Sequence, residues 1–276
     1  MIGLNNIYKE YKLVYLDTNV ISNICKKGDL SNKFIIKYPI DKKYLICFST
    51  YTLYEIAKNK TLYKDFKKFY SAYPCLLVIS YFPLGVKEMD YIAGNTPLVN
   101  PILLSPQGIT FEGKSLNPNS LELLLNKPEI KASFKNIHNY TTKYYNEVIS
   151  VLDKPEFKHI NKDNIKNKKG DFVRTFMRYE IKHRFLNGKN VEIDKKKLKK
   201  MKSLDVLAHA IFYKFFSDKQ RKKEQSDIID ILIMTTTPYV DTFISENNAI
   251  DILKKIKKQT TAINNTNLQT LATLNN

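Results

Sequence analysis

Five carboxylates of this chain stand where an apolar run ends or within the first turns of an apolar helix. Asp17 closes "KLVYLD" and is followed by the small polar pair Thr18 and Asn19. Glu55 lies in "STYTLYEIAKNK", beside Leu53, Ile56 and Ala57. Asp227 and Asp230 lie in "QSDIIDILIM", and their i, i+3 spacing puts both on one helical face among Ile228, Ile229, Ile231, Leu232 and Ile233. Glu246, with Asn247 after it, opens "SENNAIDILKK" at the end of the run "YVDTFIS". A carboxylate in such surroundings is costly unless it is paired, hydrogen-bonded or bound to a cation. Brought together, these acids raise each other's pKa unless a cation is present. Hard ions such as Mg²⁺ or Mn²⁺ take oxygen ligands, and one or two carboxylates plus waters and a substrate phosphate suffice for Mg²⁺.

Each acid alone also has an ordinary account. Glu55 fits a surface glutamate in a second helical turn. Asp227 fits a first turn stabilised by the helix dipole, an account that serves Asp230 less well. Ser245 fits an N-cap with Glu246 in the turn that follows.

The elements that must position these acids are short apolar strands. Leu13 to Leu16, Tyr44 to Phe48 and Leu76 to Ser80 read as buried strands, as does Val240 to Ser245 much later. The first two run into helical segments, Asn19 to Lys26 and Thr50 to Lys60, with Ser49 or Thr50 as N-cap, and Ser226 caps the helix of Asp227. This alternation predicts an α/β fold with a parallel sheet, whose ligands gather outside the strands' carboxyl ends. The polar "QTTAINNTNLQTLATLNN" ends the chain as a last edge strand and a frayed end. We divide the chain into a discontinuous α/β domain, 1–84 and 203–276, and a mainly helical basic insertion, 85–202.

The charge is +18, from 45 Lys and Arg against 27 Asp and Glu, and it favours a polyanionic partner. A lysine-rich composition, with abundant Asn and Ile, is the bland alternative. Residues 158–202 carry 16 Lys or Arg against 5 Asp or Glu. There Arg174, Arg178 and Lys182 recur every four residues as a ridge, and "DKKKLKKMK" adds a cluster with Lys196 and Lys199. Either holds a sugar–phosphate backbone or is a solvated face. Tyr51, Tyr54 and Tyr179 are candidates for stacking on unpaired bases, or for the core and its rim. Cys25, Cys47 and Cys75 show no CxxC spacing, no apolar run reaches membrane-spanning length, and no signal peptide is evident, so a reducing cytoplasm is expected. The scattered His138, His159, His183 and His209 read as surface or core residues.

The order "LDTNVIS", "STYTLYEI", "SDIIDILI" and "VDTFISEN" resembles the four motif regions of PIN-domain nucleases, whose bacterial members include VapC-type toxins. The first region is the most specific, an apolar strand ending Asp-Thr-Asn. The resemblance implies a three-layer α/β/α PIN-like domain and Mg²⁺- or Mn²⁺-dependent cleavage of RNA. By motif position Asp17, Glu55 and Asp227 resemble the first three metal ligands, with Asp230 as a replacement or addition, and Glu246 or Asn247 stands at the fourth. Thr18, Asn19 and Ser245 match the small polar residues that orient the acids. The fourth region departs from the usual Thr-x-Asp, and the insertion has no counterpart in the short toxins. The family analogy also implies homodimers, and the insertion offers a place for an inhibitory or regulatory protein partner.

The function expected is a metal-dependent endoribonuclease, a toxin or antiviral effector. A DNA-cutting nuclease shares its chemistry, and a nucleic-acid-binding scaffold without turnover shares its fold. A phosphohydrolase with a nucleophilic strand-end aspartate is disfavoured, since Asn19 stands where its second aspartate belongs.

Overall fold

A computed structural model of the chain describes residues 9–73, 75–104, 120–161, 163–186, 195–217 and 222–274. The strands are β1 (Lys12–Leu16), β2 (Tyr44–Ser49), β3 (Cys75–Val78), β4 (Ile102–Leu104), β5 (Thr242–Ser245) and β6 (Asn267–Thr270). They form one sheet in the order β4-β3-β2-β1-β5-β6, parallel throughout except for the antiparallel pair β3 and β4.

Helices cover both faces. In chain order they are α1 (Thr18–Lys26), α2 (Gly28–Lys37), α3 (Thr50–Lys58), α4 (Lys60–Ala72), α5 (Tyr81–Ile92), α6 (Ser120–Asn126), α7 (Pro128–Ile149), α8 (Lys169–Glu180), α9 (Lys195–Leu198), α10 (Lys202–Ile211), α11 (Ser226–Met234) and α12 (Asn247–Lys257). Strand side chains alternate between faces, and the burial pattern follows that period. Leu13, Tyr15, Leu45, Cys47, Leu76, Val78 and Phe243 join one core with α7, α8, α10, α11 and α12. Val14, Leu16, Ile46, Phe48, Cys75, Leu77 and Ile244 join the other with α1, α2, α4 and α6. A sheet buried on both faces explains why these strands are continuous apolar runs. The architecture is therefore α/β/α with an added helical part.

Residues 102–104, within the expected helical insertion, form the edge strand β4, and α5 straddles position 84. The helices α7 and α8 share a core with β1 and β2. Two helices end in wide turns with i→i+5 bonds, Leu186 N to Ile181 O at 3.0 Å and Ser217 N to Phe212 O at 2.9 Å. Among the described residues no helix is long and apolar enough to cross a membrane.

Candidate functional site

Strand order reverses at β1, which pairs with β2 on one side and β5 on the other. In such sheets the crevice between diverging connections opens at the carboxyl ends, and Asp17 and Ser245 lie at the ends of these two strands. A cleft of about 150 Å³ opens there, lined by Asp17, Thr18, Asn19, Glu55, Asp230 and Glu246 over a floor that includes Ile233, Met234 and Phe243.

Asp17 is the N-cap of α1 and is buried. Its Oδ1 accepts from Val20 N at 2.8 Å, and its Oδ2 accepts from Ser245 Oγ. Burial pushes its pKa up to about 6, with the Ser245 and Val20 bonds opposing and the Glu246 carboxylate adding to the rise. Thr18 Oγ1 donates to Glu55 Oε2, and Asn19 Nδ2 donates to Glu246 Oε2 at 3.2 Å. Glu55 is likewise raised, first by burial and then by Asp230 and Asp17, against the Thr18 bond. Among the described residues no lysine or arginine forms an ion pair with Asp17 or Glu55.

The second acidic pair is placed differently from the first. Lys214, buried in the wide turn Phe212–Phe216, sets its Nζ 3.2 Å from Asp227 Oδ1 and 2.6 Å from Asp230 Oδ2. Asp227 is buried and does not line the cleft, whereas Asp230 does. The Oδ2 of Asp227 accepts from Glu224 N at 3.1 Å. This bond closes the turn before α11 in place of the expected Ser226 cap; Gln225 is the N-cap and makes no side-chain capping bond, its amide donating instead to Thr142 Oγ1 at 2.7 Å. Ser245 likewise does not cap α12, because its hydroxyl is given to Asp17 and Glu246 takes the cap position. Asn247 is the exposed first residue of α12 and does not line the cleft. Ser49 does cap α3, accepting from Thr52 N at 3.3 Å.

Among the described residues no three His, Cys, Asp or Glu side chains stand close enough to hold a metal ion by themselves. The basic ridge lies elsewhere. Arg174 and Arg178 are exposed on α8, Lys182 is half-buried near Glu156, and Lys196 and Lys199 are exposed around α9. Arg174 pairs with Asp171 and, with Lys199, lines a separate cavity of about 460 Å³. His209 is buried against Asp205, and His183 is exposed beside Glu156.

Sequence reasoning missed Lys214. Its signal was a single lysine inside the aromatic run "FYKFF", where an exposed basic residue has no place. No protein-family model, curated protein or solved structure matches the chain.

Proposed function

We propose that the protein is a metal-dependent endoribonuclease that hydrolyses RNA phosphodiester bonds, a toxin or antiviral effector of the kind the PIN-domain resemblance implies. The observation that carries this reading is the buried carboxylate of Asp17 beside the half-buried one of Glu55, with Asp230 and Glu246 lining the same cleft at the switch point of the sheet. Burial raises the pKa of both, and neighbouring carboxylates add to the rise, Glu246 at Asp17, and Asp230 and Asp17 at Glu55. Such a set fits Mg²⁺ or Mn²⁺, which needs one or two carboxylates and takes its other oxygens from water and phosphate. It does not fit an all-protein cage.

Asp17 and Glu55 would hold the ion, with Asp230 and Glu246 as further carboxylates of the cleft. A bound ion of this type stabilises charge on a phosphodiester and lowers the pKa of a water. The chain does the positioning. Val20 N and Ser245 fix both oxygens of Asp17, Thr18 fixes Glu55, and Asn19 orients Glu246. Lys214 holds Asp230 at the rim by one oxygen. The residues Arg174, Arg178, Lys182, Lys196 and Lys199 would bear on sugar and phosphate without reading sequence.

A second reading, a nucleic-acid-binding scaffold without turnover, is favoured by one observation: Lys214 already neutralises Asp227, the residue at the third ligand position of the motif. Labelled single-stranded RNA, tRNA and single-stranded DNA, incubated with the protein in Mg²⁺, Mn²⁺ or EDTA beside Asp17→Asn, separate these readings. The nuclease reading expects metal-dependent cutting of RNA that falls at least about a hundredfold in the variant, more than removal of an outer partner of a metal ligand costs. Cutting of DNA alone would reassign the polymer, and binding by both proteins without cutting would favour the scaffold.

A further inference from the structure

Along the same carboxyl edge of the sheet lies a second cavity, of about 390 Å³, lined by Thr50, Tyr51, Ser80, Phe82, Asn136 and Tyr140 among others. Thr50 follows β2 directly and Ser80 follows β3 by two residues, so the cavity lies at the ends of β2 and β3, on the side of β1 away from β5. Asn136 and Tyr140 of α7 line it on another side. We propose that this cavity receives an unpaired nucleobase of the substrate strand, next to the phosphodiester at the acid cleft. The inference rests on the nuclease reading for its polymer and on the cavity's own walls for the base.

Three features carry it. The walls combine flat aromatic surface, from Tyr51, Phe82 and Tyr140, with a few short polar groups, from Thr50, Ser80 and Asn136. Aromatic faces stack on any base, and an amide matches the paired donors and acceptors of a base edge. Its volume falls in the range of roughly 300 to 1,000 Å³ usual for small-molecule sites. Tyr140 meets the cavity with its ring, since its hydroxyl is buried away from it. Finally, one helix serves both places. Tyr51 in the cavity and Glu55 in the cleft lie on the same face of α3, four residues apart. At 1.5 Å per residue they are separated by about 6 Å along the axis, close enough for a base and a phosphodiester of neighbouring nucleotides.

The alternatives for such a cavity are an apolar metabolite or no ligand at all. An apolar molecule would strip the exposed amide of Asn136 of water without giving it a partner, which costs affinity.

The test uses the full chain with AMP, GMP, CMP and UMP as probes, in EDTA, followed by saturation-transfer NMR and titration calorimetry. Phe82 and Asn136 are exposed, so Phe82→Ala and Asn136→Leu leave the core untouched. At least one nucleotide is expected to bind. Phe82→Ala should weaken that binding by roughly 5- to 100-fold, the range for losing one stacking face, and Asn136→Leu should change the order of preference among the four. Failure of all four nucleotides to bind, or binding untouched by both cavity variants, would overturn the proposal. Metal-dependent RNA cutting whose sequence preference is the same in Asn136→Leu would overturn it while leaving the nuclease standing. Nucleotide binding that obeys the variants in a protein that never cuts would support the cavity and count against the nuclease.

Discussion

The wide turns Ile181–Phe185 and Phe212–Phe216 each carry one cation between two carboxylates, half-buried Arg184 in the first and buried Lys214 in the second, yet only the second opens onto the acid cleft. Arg184 donates from Nε to Glu180 at 2.8 Å and from Nη2 to Glu147, and lies 4.2 Å over the Tyr144 ring. Tyr81 donates to the same Glu180 oxygen at 3.1 Å, and none of these groups lines the acid cleft. Lys214 bridges Asp227 and Asp230, but Asp230 is partly exposed and faces Asp17 and Glu55. Such wide turns are rare and occur mostly as single turns within helices. In one region the device secures packing. In the other it removes Asp227 from the acid set and leaves Asp230 in it.

Removing either cation is the strongest way to break this comparison. Arg184→Met and Lys214→Met each leave a buried carboxylate without its partner, and each is expected to cost about 3 to 5 kcal/mol in urea unfolding. They should part on a second measurement. Mn²⁺ binding, read by the loss of the free-ion signal in electron paramagnetic resonance, should be unchanged in Arg184→Met and tighter in Lys214→Met, where Asp227 and Asp230 are released. Equal Mn²⁺ affinity in both variants would mean that Lys214 is as remote from the cleft as Arg184 is.

Buried acids also set the pH dependence of stability, and the sharpest case is far from the cleft. Glu88 on α5 is fully buried, accepts from Ser203 N and from the Tyr239 hydroxyl at 2.6 Å each, and has its pKa pushed up to about 7 by burial. A carboxyl whose pKa is higher folded than unfolded binds its proton more tightly when folded. Its contribution is therefore complete below about pH 4.5 and is lost as pH rises through 7, a change of about 3 kcal/mol. Glu88→Gln keeps the acceptor and removes the proton, so unfolding at pH 5 and pH 8 should differ by about 3 kcal/mol less in the variant than in the wild type. An unchanged difference would assign the pH dependence to other groups, Glu180 first, since its pKa is also raised to about 7 by burial.

What the sequence disclosed, and what it hid, follows from the same physics. The strands β1, β2, β3 and β5 are legible because burial on both faces makes them unbroken apolar runs, and strand ends then locate Asp17 and Glu246. The three-residue β4 is hidden among prolines and asparagines, where no period can be read. Asp227 and Asp230 look equivalent at i, i+3, and nothing local distinguishes the one that Lys214 buries. That distinction depends on a wide turn thirteen residues upstream of Asp227, which breaks the period on which helical faces are read. The ridge of Arg174 and Arg178 was legible for the opposite reason, as it lies on a regular, exposed helical face.

The smallest effect on stability is the most telling about Asp17. The two bridged pairs hold the fold together, whereas the charged form of Asp17 opposes it, since burial raises its pKa from 3.8 to about 6 and any stability tied to its proton is lost as pH rises past that value. Asn is as good an N-cap as Asp and can still accept from Val20 N. Asp17→Asn is therefore expected to be no less stable than the wild type at pH 8, and more stable by up to about 2 kcal/mol, a cost natural proteins accept at sites kept for function. Adding Mn²⁺ should raise the thermal midpoint of the wild type, because an ion that binds only the folded state stabilises it, and should leave the variant where it was. A variant that melts several degrees lower without metal would make Asp17 a structural cap, like Ser49 at the head of α3, and would leave the cleft without its principal acid.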